Sequence, residues 1–174
     1  EHPNILYILS DDVEAEPAPN RIFVKPEQKI RTGELKVETL RSTDEGVAFL
    51  VTCKDKRIYH AGDLNWWHWE EESIDYNRQM RKDYQREIRK LVRKKIDLAF
   101  VVLDPRQGGA AFSGIDFFMR NVRVNHVFPM HMWRDYGLTD RLLTSEISAS
   151  YRNRIDLVCE EGQTVEIHGQ KGET

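Results

Sequence analysis

Short apolar runs separated by polar turns recur through the N-terminal part of the chain and predict β-strands. The first run, at residues 5–9, is closed by polar residues at 10–12, a pattern typical of a buried strand with a polar exit. The next segment, 14–20, carries two prolines and is predicted to be a loop. Further strands are predicted at residues 21–25, 35–40, 47–53 and 57–59, with a turn at 54–56 that makes the last two a hairpin.

Helical spacing replaces this pattern after position 69. Apolar residues recur on one face of a charged segment from Ile74 to Val92, with glutamates before it and basic residues at its end. This charge order suits the helix macrodipole, so the basic cluster is interpreted as a solvated helix end and not as a phosphate site. The alternation that follows predicts an α/β fold. It consists of strands at 96–103 and 126–128, helices at 113–121 and 139–151 (the second capped by Thr139), and a terminal hairpin at 155–159 and 164–167.

Composition narrows the class of protein. The 174 residues are 40% hydrophobic and 32% charged, which fits one globular domain, predicted to span residues 1–174. The net charge of -3 disfavours a nucleic-acid or anionic-membrane partner, and no apolar run is long enough to cross a bilayer. Only Cys53 and Cys159 are cysteines, which argues against a disulfide scaffold or a cysteine-rich zinc module. We therefore expect a soluble, cytoplasmic protein.

Chemistry-bearing side chains stand at three predicted strand ends. Asp63 follows a glycine, Asp104 precedes a proline, and His131 follows a Pro-Met pair. Functional residues of layered α/β proteins gather where strands end. Each residue also has a plain structural interpretation, as a turn or helix cap, a strand terminus, or a part-buried histidine. His60 is interpreted as an ordinary hydrogen-bonded residue, and no role is assigned to His2, His126 and His168.

These motifs follow one another in an order that covers nearly the whole chain. An apolar hairpin leads into His60-Ala61-Gly62-Asp63, a long helix follows, and later strands end at Asp104 and at Pro129-Met130-His131. This order resembles the C-terminal half of the metallo-β-lactamase fold, and the string from Ser42 to Trp67 is similar to a bacterial branch of hydrolases in that superfamily. The resemblance implies an αββα sandwich. It also implies that Asp63 bridges two metal ions and that His131 is a terminal ligand of one.

The sequence departs from the family pattern at two places. The motif His-x-His-x-Asp-His, which would precede Ile5, is absent. Because the chain opens with Glu1 only a few positions before an apolar run, we expect an upstream segment to be missing and the sandwich to be incomplete at its N-terminal end. The family also carries a histidine before the strand at 47–53; Ser42 matches that position, with Asp44 as an alternative oxygen donor. A catalytic zinc usually has three protein ligands, and the chain supplies two.

The resemblance implies a metal-dependent hydrolase that uses metal-activated water on an ester, thioester, lactone or phosphodiester bond of a small molecule. The expected cofactor is a divalent metal, most simply zinc in a two-metal site. Three tryptophans after Asp63, namely Trp66, Trp67 and Trp69, either wall a substrate cleft or seal the loop against the next helix. The alternative is a truncated or degenerate domain without catalysis, a binding or assembly module that pairs with another copy. Nucleic-acid processing is a third hypothesis and predicts strongly salt-dependent binding.

Overall fold

The computed structural model describes residue 2 and residues 4–167. Within these residues the chain forms strands and helices in an alternating order that confirms the α/β class. In chain order they are β1 (Tyr7–Ser10), β2 (Arg21–Val24), β3 (Lys29–Thr32), β4 (Leu35–Arg41), β5 (Val47–Cys53), β6 (Lys56–His60), α1 (Ile74–Arg89), β7 (Lys95–Val102), α2 (Ser113–Asn121), β8 (Arg123–Met130) and α3 (Gly137–Thr144). Short 3-10 helices lie at Pro105–Ala110, Glu146–Ser148 and Arg152–Arg154.

Six strands form one mixed sheet in the order β3-β4-β5-β6-β7-β8. The strands from β3 to β6 are antiparallel neighbours, whereas β6, β7 and β8 run parallel to one another. The connections between the parallel strands pass through α1 and α2, as parallel pairing requires a crossover. The carboxyl ends of β6, β7 and β8 therefore meet at one edge, which is where an open α/β sheet usually carries its site.

Helices α1 and α2 cover one face of this sheet. Ser73 caps α1 by accepting a hydrogen bond from the Tyr76 backbone N–H. Tyr59 of the sheet stacks on Phe118 of α2 with 5.4 Å between ring centroids, and the Tyr84 hydroxyl donates to the Gly114 carbonyl at 2.7 Å. The residues buried between these layers form a single apolar cluster that includes Ala48, Leu50, Ile88, Leu91, Ala99, Ile115 and Val127.

The opposite face of the sheet is only partly covered. Ile58 is 38% exposed, while Phe49, Phe100 and Phe128 are half-buried on the same face. A separate parallel pair, β1 and β2, lies at one end of this face, where residues of β1 line a groove together with Phe49. The described chain thus has a complete helix layer and an open apolar face, which we name the open face (Phe49, Val51, Ile58, Leu98, Phe100 and Phe128).

Most predicted elements are confirmed, with β5 and α2 matching to the residue. The strand β3 was not predicted, because its four residues alternate charged and uncharged positions too briefly to stand out. The helix predicted at 139–151 is present but its bounds and its cap are wrong. α3 starts at Gly137 and ends at Thr144, since Ser145 is extended and caps the following 3-10 turn. Thr139 is therefore buried inside α3 and donates its hydroxyl to the Met132 sulfur.

The predicted terminal hairpin at 155–159 and 164–167 is also wrong for the described residues. Ile155 makes an isolated bridge with Val127 of β8, and no strand follows it as far as residue 167. The segment places Val158 against the core instead of pairing with itself. Tertiary contacts with β8 therefore replace the local hairpin. No helix in the described part of the chain is both long and apolar enough to cross a membrane.

The turn after β6 allows a direct test of how closely its backbone packs against β5. Gly62 has φ of 55°, and a Cβ added there would lie 2.8 Å from the Val47 carbonyl oxygen. Gly33 has the same φ of 55° but open space around the added atom. We expect Gly33→Ala to lower the free energy of unfolding by about 1 kcal/mol. Gly62→Ala should lower it by about 1–3 kcal/mol more, because it adds steric overlap to the same backbone strain.

Urea denaturation of both variants measures this difference. Because the two sites share one backbone conformation, any excess loss at Gly62 reports the close approach of β5. Equal losses in the two variants would show that the turn after β6 moves without cost, and would contradict the tight packing of this loop.

Candidate metal site

Asp63 lies on the loop that leaves the carboxyl end of β6. Its glycine neighbour lets the chain pass close to Val47, and the Gly62 N–H donates to the His60 Nδ1 atom at 3.0 Å. On the other side, the Trp67 Nε1–H donates to the Asp63 carbonyl at 3.0 Å. Desolvation lowers the pKa of His60, partly offset by the charge of Asp63, so a neutral ring accepts this hydrogen bond. The backbone on both sides of Asp63 is thereby fixed.

His131 directly follows β8 in an unusual stretch of backbone. It has φ of 74°, and Trp133 and Arg134 have φ of 50° and 69°. Left-handed conformations cost roughly 1–3 kcal/mol for each non-glycine residue and persist only where surrounding contacts hold them. Here the Asp135 N–H donates to the Met132 carbonyl at 2.8 Å, closing the turn. Strain of this kind concentrates at functional sites, because it aims side chains that a regular strand would point elsewhere.

The fully buried Asp104 carboxylate, at the end of β7, holds this region together. Its Oδ2 atom lies 2.8 Å from the His131 Nδ1 atom and accepts from the Trp133 Nε1–H at 3.2 Å. Arg106 donates from its backbone N–H at 2.8 Å and from Nε and Nη2 at 3.0 and 2.7 Å. Burial alone would raise the pKa of Asp104, but these hydrogen bonds outweigh it and the pKa is lowered.

An ionised Asp104 determines which nitrogen of His131 carries hydrogen. The carboxylate accepts only from an Nδ1–H, so Nε2 is left to face the opposite side. There the Nε2 atom lies 3.2 Å from Oδ1 of Asp63. Two lone-pair donors facing each other at that distance require a cation or a proton between them. The structure therefore brings Asp63 and His131 together at one rim of the sheet. Their role as metal ligands stays a prediction.

Aromatic rings surround the imidazole. Trp67 is buried and meets the His131 ring edge-on at 5.7 Å, while it stacks on Trp69 at 5.6 Å. Trp133 meets the other side of His131 at 5.6 Å and is 65% exposed. Of the two interpretations of the tryptophan cluster, the sealing role holds for Trp67. Trp66 packs away from the rim, edge-on to Phe117.

The other sequence candidates are not brought to the rim as ligands. The Ser42 hydroxyl accepts from the Asp44 N–H at 3.2 Å in a local turn. Within the described chain no group of three or more histidine, cysteine, aspartate or glutamate side chains could hold a metal ion, so Asp44 does not complete a set with Asp63 and His131. His126 lies in the middle of β8 and pairs with Asp156 at 3.3 Å.

The sequence analysis assigned no site role to three residues at this rim. Asp104 was interpreted chiefly as a strand end, and Arg106 and Trp133 received no role. The usable signal was the Asp-Pro-Arg string at a predicted strand end, because a charged pair two residues apart around a turn can close on itself. Nothing in the local sequence indicates that Trp133 turns its indole N–H toward a residue 29 positions earlier.

No protein-family model and no curated protein matches the sequence. Among solved structures, YhfI from Bacillus subtilis is a metallo-β-lactamase-fold protein with 8% identity and a TM-score of 0.41. The similar region covers 67% of this chain and 45% of the YhfI chain. Zinc-bound PqqB from Methylobacterium extorquens has 11% identity, a TM-score of 0.45 and coverages of 84% and 52%. CmlA, a diiron β-hydroxylase from Streptomyces venezuelae, has 10% identity, a TM-score of 0.44 and coverages of 64% and 25%.

The chain is thus similar in fold to solved metallo-β-lactamase-fold proteins such as YhfI. The chain spans 25% to 52% of the length of these three structures. At such identities and TM-scores the similarity concerns the fold alone, so the function proposed below rests on this chain's own side chains.

Removing the charge of Asp104 tests whether this carboxylate holds the rim together. We expect Asp104→Asn to lower the free energy of unfolding at neutral pH by about 2–3 kcal/mol, because Arg106 and His131 lose a buried partner. Since the folded pKa lies below the unfolded value near 3.9, the stabilisation is present above that value. It is lost as pH falls through the folded pKa.

Chemical denaturation across the acid range measures this. The wild type should lose stability on acidification more steeply than Asp104→Asn. Asp55→Asn is the matched control, because Asp55 is exposed and faces only Lys56 at 3.7 Å. If the Asp104 variant were as stable as the control and had the same acid profile, the carboxylate would not organise this rim.

Proposed function

We propose that this chain carries part of the metal centre of a metal-dependent hydrolase, with Asp63 and His131 as ligands. The observation that carries the proposal is the 3.2 Å separation between the Asp63 Oδ1 and His131 Nε2 atoms, with the far nitrogen of His131 anchored to Asp104. Two ligands of one tetrahedral zinc, each about 2.1 Å from the ion, lie roughly 3.4 Å apart. The two donors therefore fit one metal by type and by spacing.

The number of donors is smaller than a complete site needs. A catalytic zinc usually has three protein ligands and one open position, and the described residues present two. The proposal accordingly assigns Asp63 and His131 to one corner of the centre and requires at least one further donor. A carboxylate suits a bridging position because its two oxygen atoms can face two cations, which is the role proposed for Asp63.

A bound divalent metal, zinc in the simplest case, would supply an activated water and polarise the bond under attack. The residues of this chain would then position that chemistry. Asp104 holds the His131 ring in one tautomer and one orientation, as carboxylate partners of metal-bound histidines do. Trp67 closes the inner side of the imidazole and keeps water away from it. The proposed substrate is a small molecule with an ester, thioester, lactone or phosphodiester bond.

Zinc titration by calorimetry tests the ligand assignment. We expect Asp63→Asn and His131→Gln each to weaken zinc binding by about tenfold or more, because each removes one donor. His126→Gln is the matched control, since His126 also faces a carboxylate, Asp156, but lies within β8 and not on the loop that follows it. That variant should bind zinc as the wild type does. Wild-type protein that binds no zinc, or equal losses in all three variants, would contradict the proposed centre.

A second candidate function is a binding or assembly module without catalysis. The observation that favours it is the open face, where Ile58 is 38% exposed between half-buried aromatic residues. Contiguous apolar surface of this kind usually marks an interaction site. On this hypothesis the natural partner is a second copy of the chain.

Sedimentation over a range of protein concentrations tests this hypothesis. If copies pair through the open face, Ile58→Glu should abolish association, because it places a charge within the interface. Ile74→Glu should not, because Ile74 is 77% exposed at the start of α1, away from the sheet. A wild type that stays monomeric at every concentration would remove pairing of copies as a function of this face.

A further inference from the structure

Arg106 lies beside the proposed metal corner with its guanidinium held in a fixed position. Its Nε and Nη2 atoms donate to the buried Asp104 carboxylate, at 3.0 and 2.7 Å. The same carboxylate contacts His131. One edge of the guanidinium therefore faces the protein interior, and the side chain as a whole remains 50% exposed.

The guanidinium of Arg106 also carries N–H donors that Asp104 does not use. A guanidinium carries five N–H donors, of which two belong to Nη1, two to Nη2 and one to Nε. Asp104 engages Nε and Nη2, and in the described chain Nη1 makes no hydrogen bond. The Nη1 and Nη2 atoms thus keep a parallel pair of N–H groups that Asp104 does not use. That geometry matches the two oxygen atoms of a carboxylate.

Three indole rings keep the guanidinium in this orientation. Its central carbon lies 4.9 Å from the ring centroid of Trp133, 5.7 Å from that of Trp69 and 6.0 Å from that of Trp67. Cation–π contacts of this kind restrain the plane of an arginine that a solvent-exposed site would otherwise leave free. Trp133 is itself 65% exposed, so a flat apolar surface adjoins the free N–H pair.

We infer that Arg106 binds the carboxylate of a small organic acid whose apolar or aromatic body lies on Trp133. In the proposed hydrolase, this residue would select substrates that carry a carboxylate near the bond to be cleaved, because Asp104 joins Arg106 and His131 into one rigid unit. That assignment of a substrate class rests on the proposed function. The binding of a carboxylate by Arg106 does not, since it needs neither a metal ion nor turnover.

Tryptophan fluorescence gives a direct test, because the binding surface contains Trp133. The probes are phenylacetate and its neutral analogue phenylacetamide. We expect phenylacetate to change the emission in a saturable manner and to bind about tenfold or more tightly than phenylacetamide, since only the carboxylate pairs with the guanidinium. Arg106→Gln should abolish this preference, and Arg106→Lys should keep only part of it, because an ammonium lacks the planar pair of donors.

One control variant separates Arg106 from its surroundings. Arg134→Gln removes a neighbouring exposed arginine that pairs with Glu161 at 3.3 Å, and it should keep the full preference. Circular dichroism establishes that each variant is folded.

The inference is overturned if the wild type binds phenylacetate and phenylacetamide equally, or if folded Arg106→Gln retains the preference. It is also overturned if Arg134→Gln loses the preference as completely as Arg106→Gln does. The wild-type comparison needs no variant, so it remains decisive if Arg106→Gln fails to fold. A carboxylate preference in a protein that binds no zinc would support the role of Arg106 and reject the hydrolase. Zinc binding without the carboxylate preference would support the metal centre and reject the role of Arg106.

Discussion

The buried carboxylate of Asp104 is the contact on which the rest of the rim depends. It accepts hydrogen bonds from Arg106, His131 and Trp133, three side chains that approach it from two different loops. A buried charge is tolerated only where such partners compensate for lost hydration. Because the partners outweigh burial, the carboxyl stays ionised. It can therefore fix the tautomer of the imidazole and the edge that the guanidinium exposes.

The strained backbone after β8 is explained by the same contact. Left-handed φ values at His131, Trp133 and Arg134 turn the imidazole and the indole back toward Asp104, which lies just after the neighbouring parallel strand. The contacts made there offset the conformational cost. Two turns thus position the two proposed ligands. A turn that needs glycine positions Asp63, and a strained turn positions His131. Both turns follow parallel strands of one sheet, and parallel strands end at a common edge.

The two faces of the sheet differ in a way that bears on both candidate functions. The face under α1 and α2 is packed by aromatic and aliphatic side chains, including the stacked pair of Tyr59 and Phe118. The open face carries a comparable set of apolar residues with less cover. The described residues therefore combine a rim of hydrogen-bonded polar side chains with an apolar face that has little cover. The proposed metal corner is one pair of side chains at that rim, and it needs donors beyond the two that the described residues present.

Sequence alone determined the elements whose signal is local. The run at 47–53 and the helix at 113–121 need no distant contact to be recognised, because apolar periodicity and flanking turns define them. The family resemblance also implied that Asp63 and His131 would lie at one site, and the structure brings them within 3.2 Å of each other. Tertiary structure decided what local pattern could not. It ended α3 at Thr144, replaced the terminal hairpin with a bridge to β8, and brought Arg106 and Trp133 to Asp104. These outcomes depend on contacts between residues that are far apart in the chain. No short segment of sequence determines the free energy of burying the Asp104 carboxylate among such partners.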